Sequence, residues 1–223
     1  MLEIFYNFYG LNEIIFTKLN YITNNGIIPY ILQAISSIFF IANFAVFYIF
    51  TCLYFYFKTR KATNTEEYFT PIYNKLVLVG ICYAIFGLTF AGLKFSVNMP
   101  RPFCSLAAGQ FATVANIEFE RCLSSFPSAH TGLSILVAYA LWQHINNVTK
   151  IACCIIIATV AVSRVTLAMH YPADIIYSAL VTFLVIIAGN VIYKILKPLV
   201  ITPVKEVIVK LIFKQTNSSR ELD

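Results

Sequence analysis

Charge is what this sequence has least of: 12% of its 223 residues are Asp, Glu, Lys or Arg, against about 25% in a soluble domain. Aspartate is nearly missing, occurring only at Asp174 and at the terminal Asp223, and histidine occurs three times. With 59% apolar residues and a mean hydropathy of +0.76, these scarcities exclude a soluble globular domain. The chain also lacks the basic start, compact apolar run and small residues of a cleavable leader. Its first twenty residues carry Glu3 and Glu13 instead, so the amino terminus is expected to be retained. The net charge of +6 would suggest nucleic acid in a soluble protein; in a membrane protein it reports topology, and no nucleic-acid partner is expected.

What is present is a succession of apolar runs, which predicts an all-α integral membrane protein with a bundle of about five transmembrane helices, six being possible. Residues 1–26 mix Phe5, Phe8, Ile15, Phe16 and Leu19 with Glu3, Asn7, Asn12 and Lys18. They read as an interfacial helix and a turn, with a further span as the alternative. Residues 27–197 form the membrane domain, with spans at Ile27 to Phe57, Leu76 to Leu93, Ser128 to Ile145, Ile151 to Leu167 and Ile175 to Leu196. Residues 198–223, with Lys205, Glu206, Lys210 and Lys214, read as a basic amphipathic tail on the membrane surface. Lys58, Arg60, Lys61, Lys75, Lys150, Lys194, Lys197, Lys205, Lys210, Lys214 and Arg220 then share one side, which should be cytoplasmic.

On the other side three helix junctions carry the polar residues. The second span ends in Lys94 and is followed by Arg101-Pro102; the third opens with Pro127-Ser128-Ala129-His130; and Arg164, His170 and Asp174 join the fourth to the fifth. A charged group at membrane depth costs about 2.5 to 3.5 kcal/mol on insertion scales, so such a cluster needs a use. Two guanidinium groups and an ammonium suit a phosphate dianion. Pro127 fits the first turn of a helix, whose early amides near Ser128 to His130 would face an anion. His170 and Asp174 lie one turn apart if a helix starts near Pro172, so that the carboxylate orients the ring of a nucleophile while His130 acts as general acid. Taken singly, Lys94 could snorkel, Arg101 could be a loop residue and Asp174 a helix cap. His144, near the inner end of the third span, is read as structural.

These residues resemble the type 2 phosphatidic acid phosphatase (PAP2) superfamily, whose signatures are Lys-x6-Arg-Pro, Pro-Ser-Gly-His and Ser-Arg-x5-His-x3-Asp. Six residues separate Lys94 from Arg101, five separate Arg164 from His170, and three separate His170 from Asp174. Ala129 stands in the glycine position, the one departure. The resemblance implies a PAP2-like helical core in which Lys94, Arg101, Ser128, the Ala129 backbone and Arg164 bind phosphate. It further implies that His170 forms a phosphohistidine, that His130 serves as acid, and that no metal or other cofactor takes part.

Within the family the chain looks most like bacterial lipid A phosphatases, with undecaprenyl diphosphate and phosphatidylglycerol phosphate phosphatases as alternatives. A phosphoryl transferase and a non-enzymatic anion transporter are the rivals. The expected setting is the bacterial inner membrane, with the site facing the periplasm and the carboxy terminus in the cytoplasm. A phosphorylated membrane lipid and the bilayer are the expected partners, and no obligate protein partner is expected. In an oxidising periplasm Cys104 and Cys122 are candidates for a disulfide. Glu118, Glu120 and Arg121 read as solvated loop charges, with contact to a polar headgroup as the alternative.

Overall fold

The computed structural model describes residues 2–60 and 65–220; Lys61 lies outside the described residues, as do 221–223 and the side chains of Lys214 and Arg220. All regular structure among the described residues is helical: α1 (Leu2–Phe5), α2 (Leu11–Thr23), α3 (Ile28–Ser37), α4 (Ile41–Arg60), α5 (Thr65–Val97), α6 (Pro102–Ser105), α7 (Ala129–Leu141), α8 (Asn147–Thr166), α9 (Pro172–Leu196) and α10 (Thr202–Arg220). Short helical turns lie at Ile117–Phe119 and Lys197–Ile201. Among the described residues, four stretches are long and apolar enough to cross a membrane: Ile41–Arg60, Glu66–Ser105, Asn147–Thr166 and Pro172–Leu211.

The expected first span is two helices rather than one. The hydroxyls of Ser36 and Ser37 donate back to the carbonyls of Gln33 and Ala34, at 3.2 and 2.7 Å, competing with the helical ladder where α3 ends. The expected third span is α7, whose 13 residues give about 20 Å of helix, short of a hydrocarbon core of about 30 Å.

The chain forms two compact units. One comprises Phe44–Ile85 and Val185–Asp223. In it the Tyr48 hydroxyl donates to the Leu76 carbonyl at 2.7 Å, the Phe44 and Tyr83 rings lie 4.5 Å apart, and Lys205 pairs with Glu66 at 3.6 Å.

The other unit, Met1–Asn43 with Phe86–Leu184, holds all the candidate site residues. Here α2, α3 and α7 each pack on α8. Gly132 of α7 lets that helix press against Phe86, Phe90 and Thr182; a Cβ there would lie 2.7 Å from Phe90 and Thr182.

The segment expected to lie at the interface has two unlike faces in α2. Leu11, Ile14, Ile15 and Ile22 are exposed, whereas Asn12, Phe16 and Asn20 are buried. Phe16 packs with Val165, Ala168 and Tyr171. The two asparagines satisfy backbone groups that helix ends leave open. The Asn20 amide donates to the carbonyls of Val165 and Thr166 at 3.2 and 2.9 Å and accepts the Ala112 N–H at 2.9 Å, while Asn12 accepts the Ala173 N–H at 2.9 Å. These bonds fix the end of α8 and the start of α9, where the charged residues sit. Asn20→Leu keeps side-chain bulk but orphans those buried groups, so it should cost about 3 kcal/mol of stability. Denaturation in detergent checks this, and an unchanged midpoint would refute it.

Candidate functional site

The end of α5 brings Lys94 to a loop, where its Nζ donates to the Ser124 carbonyl at 2.6 Å. That loop is paired with the segment before α6: the Ser125 N–H donates to the Met99 carbonyl at 3.0 Å and the Arg101 N–H to the Cys122 carbonyl at 2.9 Å. A disulfide between Cys104 and Cys122, with Cα atoms 5.7 Å apart, closes the same two segments on each other. Arg101 therefore leaves a backbone fixed from both sides.

Arg101 is buried, and its Nη1 lies 2.5 Å from Glu120 Oε2 and 2.9 Å from Met169 Sδ. Glu120, expected among solvated loop charges, is instead bonded to a candidate phosphate ligand. Glu118 is exposed, and the Arg121 guanidinium sits 4.7 Å from the centre of the Phe95 ring.

Ser128 caps α7, with Ala129 and His130 as its first two helical residues. Pro127 precedes the cap rather than lying in the first turn, a departure from the expected placement. The Ser128 N–H is directed to the Asp174 carbonyl at 3.4 Å, and its hydroxyl shares a 3.0 Å bond with Thr131. The amides that remain for an anion at this helix start therefore begin at Ala129. His130 is half-buried beside Phe40, with ring centres 6.2 Å apart. Burial, then the charges of Arg164, His170, Lys94 and Arg101, hold the His130 ring below the ordinary histidine pKa.

Arg164 lies in the last turn of α8, with Nη1 3.5 Å from Ser36 Oγ and its Nε buried without a protein partner. Its carbonyl accepts the N–H groups of Met169 and His170 at 3.0 and 3.2 Å. Ala168, at φ 53, turns the chain through the left-handed region to allow this, at a cost of about 1 to 2 kcal/mol for a residue bearing a Cβ. The turn folds His170 back beside Arg164.

As expected, α9 begins at Pro172, which places Asp174 one turn beyond His170. His170 Nδ1 lies 3.5 Å from Asp174 Oδ2. Burial, then the charges of Lys94, Arg164 and Arg101, hold the His170 ring well below the ordinary histidine pKa, so it is neutral with a free lone pair at neutral pH. Asp174 is fully buried and accepts the Ser125 hydroxyl at 2.5 Å and the Tyr171 N–H at 2.8 Å on Oδ2, and the Tyr6 hydroxyl at 2.8 Å on Oδ1. It thus caps its own helix and faces the histidine at once.

The structure gathers Lys94, Arg101, Ser128, Ala129, His130, Arg164, His170 and Asp174 in one unit. Sequence reasoning missed Glu120, Ser125 and Tyr6. Ser125 had a signal in its closeness to Pro127-Ser128, whereas Tyr6 lies 168 positions from its partner and had none. Among the described residues no group of three or more His, Cys, Asp or Glu side chains is placed to hold a metal ion.

A family model described as PAP2 superfamily matches residues 75–197. The fold is similar to that in the crystal structure of Aquifex aeolicus LpxE, with a TM-score of 0.62, 17% identity, and 81% of this chain and 94% of that chain covered. No curated protein sequence matches the chain.

A carboxylate on Arg101 competes with any oxyanion for that guanidinium. Glu120→Gln should therefore tighten inorganic phosphate binding about threefold. Protection against thermal unfolding in detergent would report it, and equal or weaker protection would reject it.

Proposed function

This chain belongs to the PAP2 superfamily, and we propose that within it the chain is a metal-independent membrane lipid phosphatase working through a phosphohistidine. The observation that carries this reading is a buried His170 whose Nδ1 lies 3.5 Å from Asp174 and whose backbone N–H bonds the Arg164 carbonyl, in the unit that also holds Lys94, Arg101 and His130. Phosphate monoester hydrolysis is among the slowest uncatalysed reactions, and preorganised cations with a covalent intermediate meet that demand.

In the proposed reaction Lys94, Arg101, Arg164, the Ser128 hydroxyl and the amides from Ala129 onward hold the phosphoryl oxygens. Asp174 Oδ2 faces Nδ1 of His170, which leaves the Nε2 lone pair as the nucleophile. Nε2 attacks phosphorus, the bond from phosphorus to the lipid oxygen breaks, and His130, which takes up a proton from solvent when the bound phosphate dianion offsets the neighbouring cations, gives that proton to the departing oxygen. His130, now neutral, then takes a proton from water as the water oxygen attacks phosphorus. The bond from nitrogen to phosphorus breaks and inorganic phosphate leaves.

For the substrate we propose the phosphate of lipid A at the periplasmic face of a bacterial inner membrane, with the carboxy terminus cytoplasmic. The short, cysteine-looped form, which looks most like lipid A phosphatases, and the fold likeness to LpxE support that choice, and a bonded Cys104 and Cys122 suit an oxidising compartment. Undecaprenyl diphosphate and phosphatidylglycerol phosphate are the competing substrates within the same chemistry.

The test is phosphate release in detergent, with chelator and without an added alcohol, from lipid A, undecaprenyl diphosphate and phosphatidylglycerol phosphate. Release from lipid A should be fastest. His170→Ala should lower it at least about a thousandfold, with loss of an acid-labile phosphoenzyme. His130→Ala should recover much of its activity on a p-nitrophenyl ester, whose leaving group needs no proton. Turnover surviving His170→Ala, or requiring a metal or an alcohol acceptor, would overturn the reading.

A further inference from the structure

Asp174 has one carboxylate oxygen turned to the histidine and one turned away. Oδ2 takes Ser125, the Tyr171 N–H and the approach of His170, whereas Oδ1 takes the Tyr6 hydroxyl at 2.8 Å. We propose that Tyr6, from the amino-terminal segment, is a positioning residue for the reaction, holding Oδ1 so that the carboxylate plane keeps Oδ2 on His170 Nδ1. The inference rests on the proposed phosphatase function and adds a residue to it.

Three observations support the assignment. Tyr6 is itself held in place: its ring meets Phe126 edge-on at 6.3 Å, Phe126 lies 5.6 Å from the Tyr177 ring, and the Tyr177 hydroxyl bonds the Phe5 carbonyl. Phe126 is the residue between Ser125 and Pro127, so the segment that seats Tyr6 also leads into the cap of α7. The hydroxyl also stays protonated, because burial and then the Asp174 charge push its pKa far up, and a neutral phenol donates. A carboxylate without this bond could rotate about its last torsion, which is broad for aspartate, and lose its aim at the ring.

The residue is thus a donor two steps from the reacting phosphorus. It acts on the attack step and leaves phosphate binding to the cations. That division separates it from a residue that merely packs.

Tyr6→Phe removes one oxygen and keeps the ring. It should lower kcat about tenfold while KM stays within about twofold. In an Asp174→Asn background the same change should have no further effect on kcat, since Tyr6 works through the carboxylate. A melting curve of each variant accompanies the kinetics, and Tyr6→Trp, which retains bulk and an N–H, gives a second probe of the donor. An unchanged kcat in Tyr6→Phe, or equal losses with and without the Asp174 carboxylate, would overturn the inference alone. If the unsubstituted chain released no phosphate from any lipid, the proposed function would fall first and this inference with it.

Discussion

The structure of the site depends on one buried carboxylate. Asp174 is fully buried, and a charge in such a place is tolerated only when several donors meet it. Those donors arrive from separate parts of the chain: Tyr6 from the amino-terminal segment, Ser125 from the disulfide-closed loop and the Tyr171 N–H from its own helix start. The Ser128 N–H reaches the carbonyl of the same residue. Satisfying one side group therefore draws together the start of α7, the start of α9 and the amino terminus. The same demand explains why the loop before α7 is clamped on the segment carrying Arg101, since a drifting Ser125 would leave the carboxylate short of a partner.

The cations pose the converse problem. Arg101 and Arg164 are both buried, and each keeps an Nε without a protein partner. Such groups are costly in a fold that only had to be stable. The surroundings reduce the cost only in part. Glu120 and a methionine sulfur meet Arg101, a serine hydroxyl meets Arg164, and a carbonyl meets Lys94. The remaining donor capacity is the feature a phosphoryl group would complete, which is why the proposed reaction follows from the same geometry that strains the fold. Neutral His170 fits that setting, because the cations and burial that favour an anion also disfavour an imidazolium.

The amino-terminal segment is the part whose role differs most between the two levels of description. Its mixture of polar and apolar residues suits a membrane surface, and the exposed face of α2 keeps that character. Its asparagines, however, serve as caps for helices more than a hundred positions away. A polar residue in an amphipathic pattern looks the same whether water or a backbone carbonyl satisfies it. Nothing local in Asn12 or Asn20 distinguishes the two.

The sequence by itself determined the membrane class, the helical content and the candidate site residues. Hydropathy decides the first two, because a backbone in lipid must satisfy its own hydrogen bonds. The third is legible because the spacings from Lys94 to Arg101, from Arg164 to His170 and from His170 to Asp174 lie within single junctions, where chain geometry is local. Tertiary structure alone decided the break after Ser37, the short α7, the displacement of Pro127 from the first helical turn, and the partners of the charged groups. Glu120 on Arg101, Ser36 on Arg164 and Tyr6 on Asp174 are contacts between distant segments. Their formation depends on where whole helices come to rest, and residue type carries no record of that.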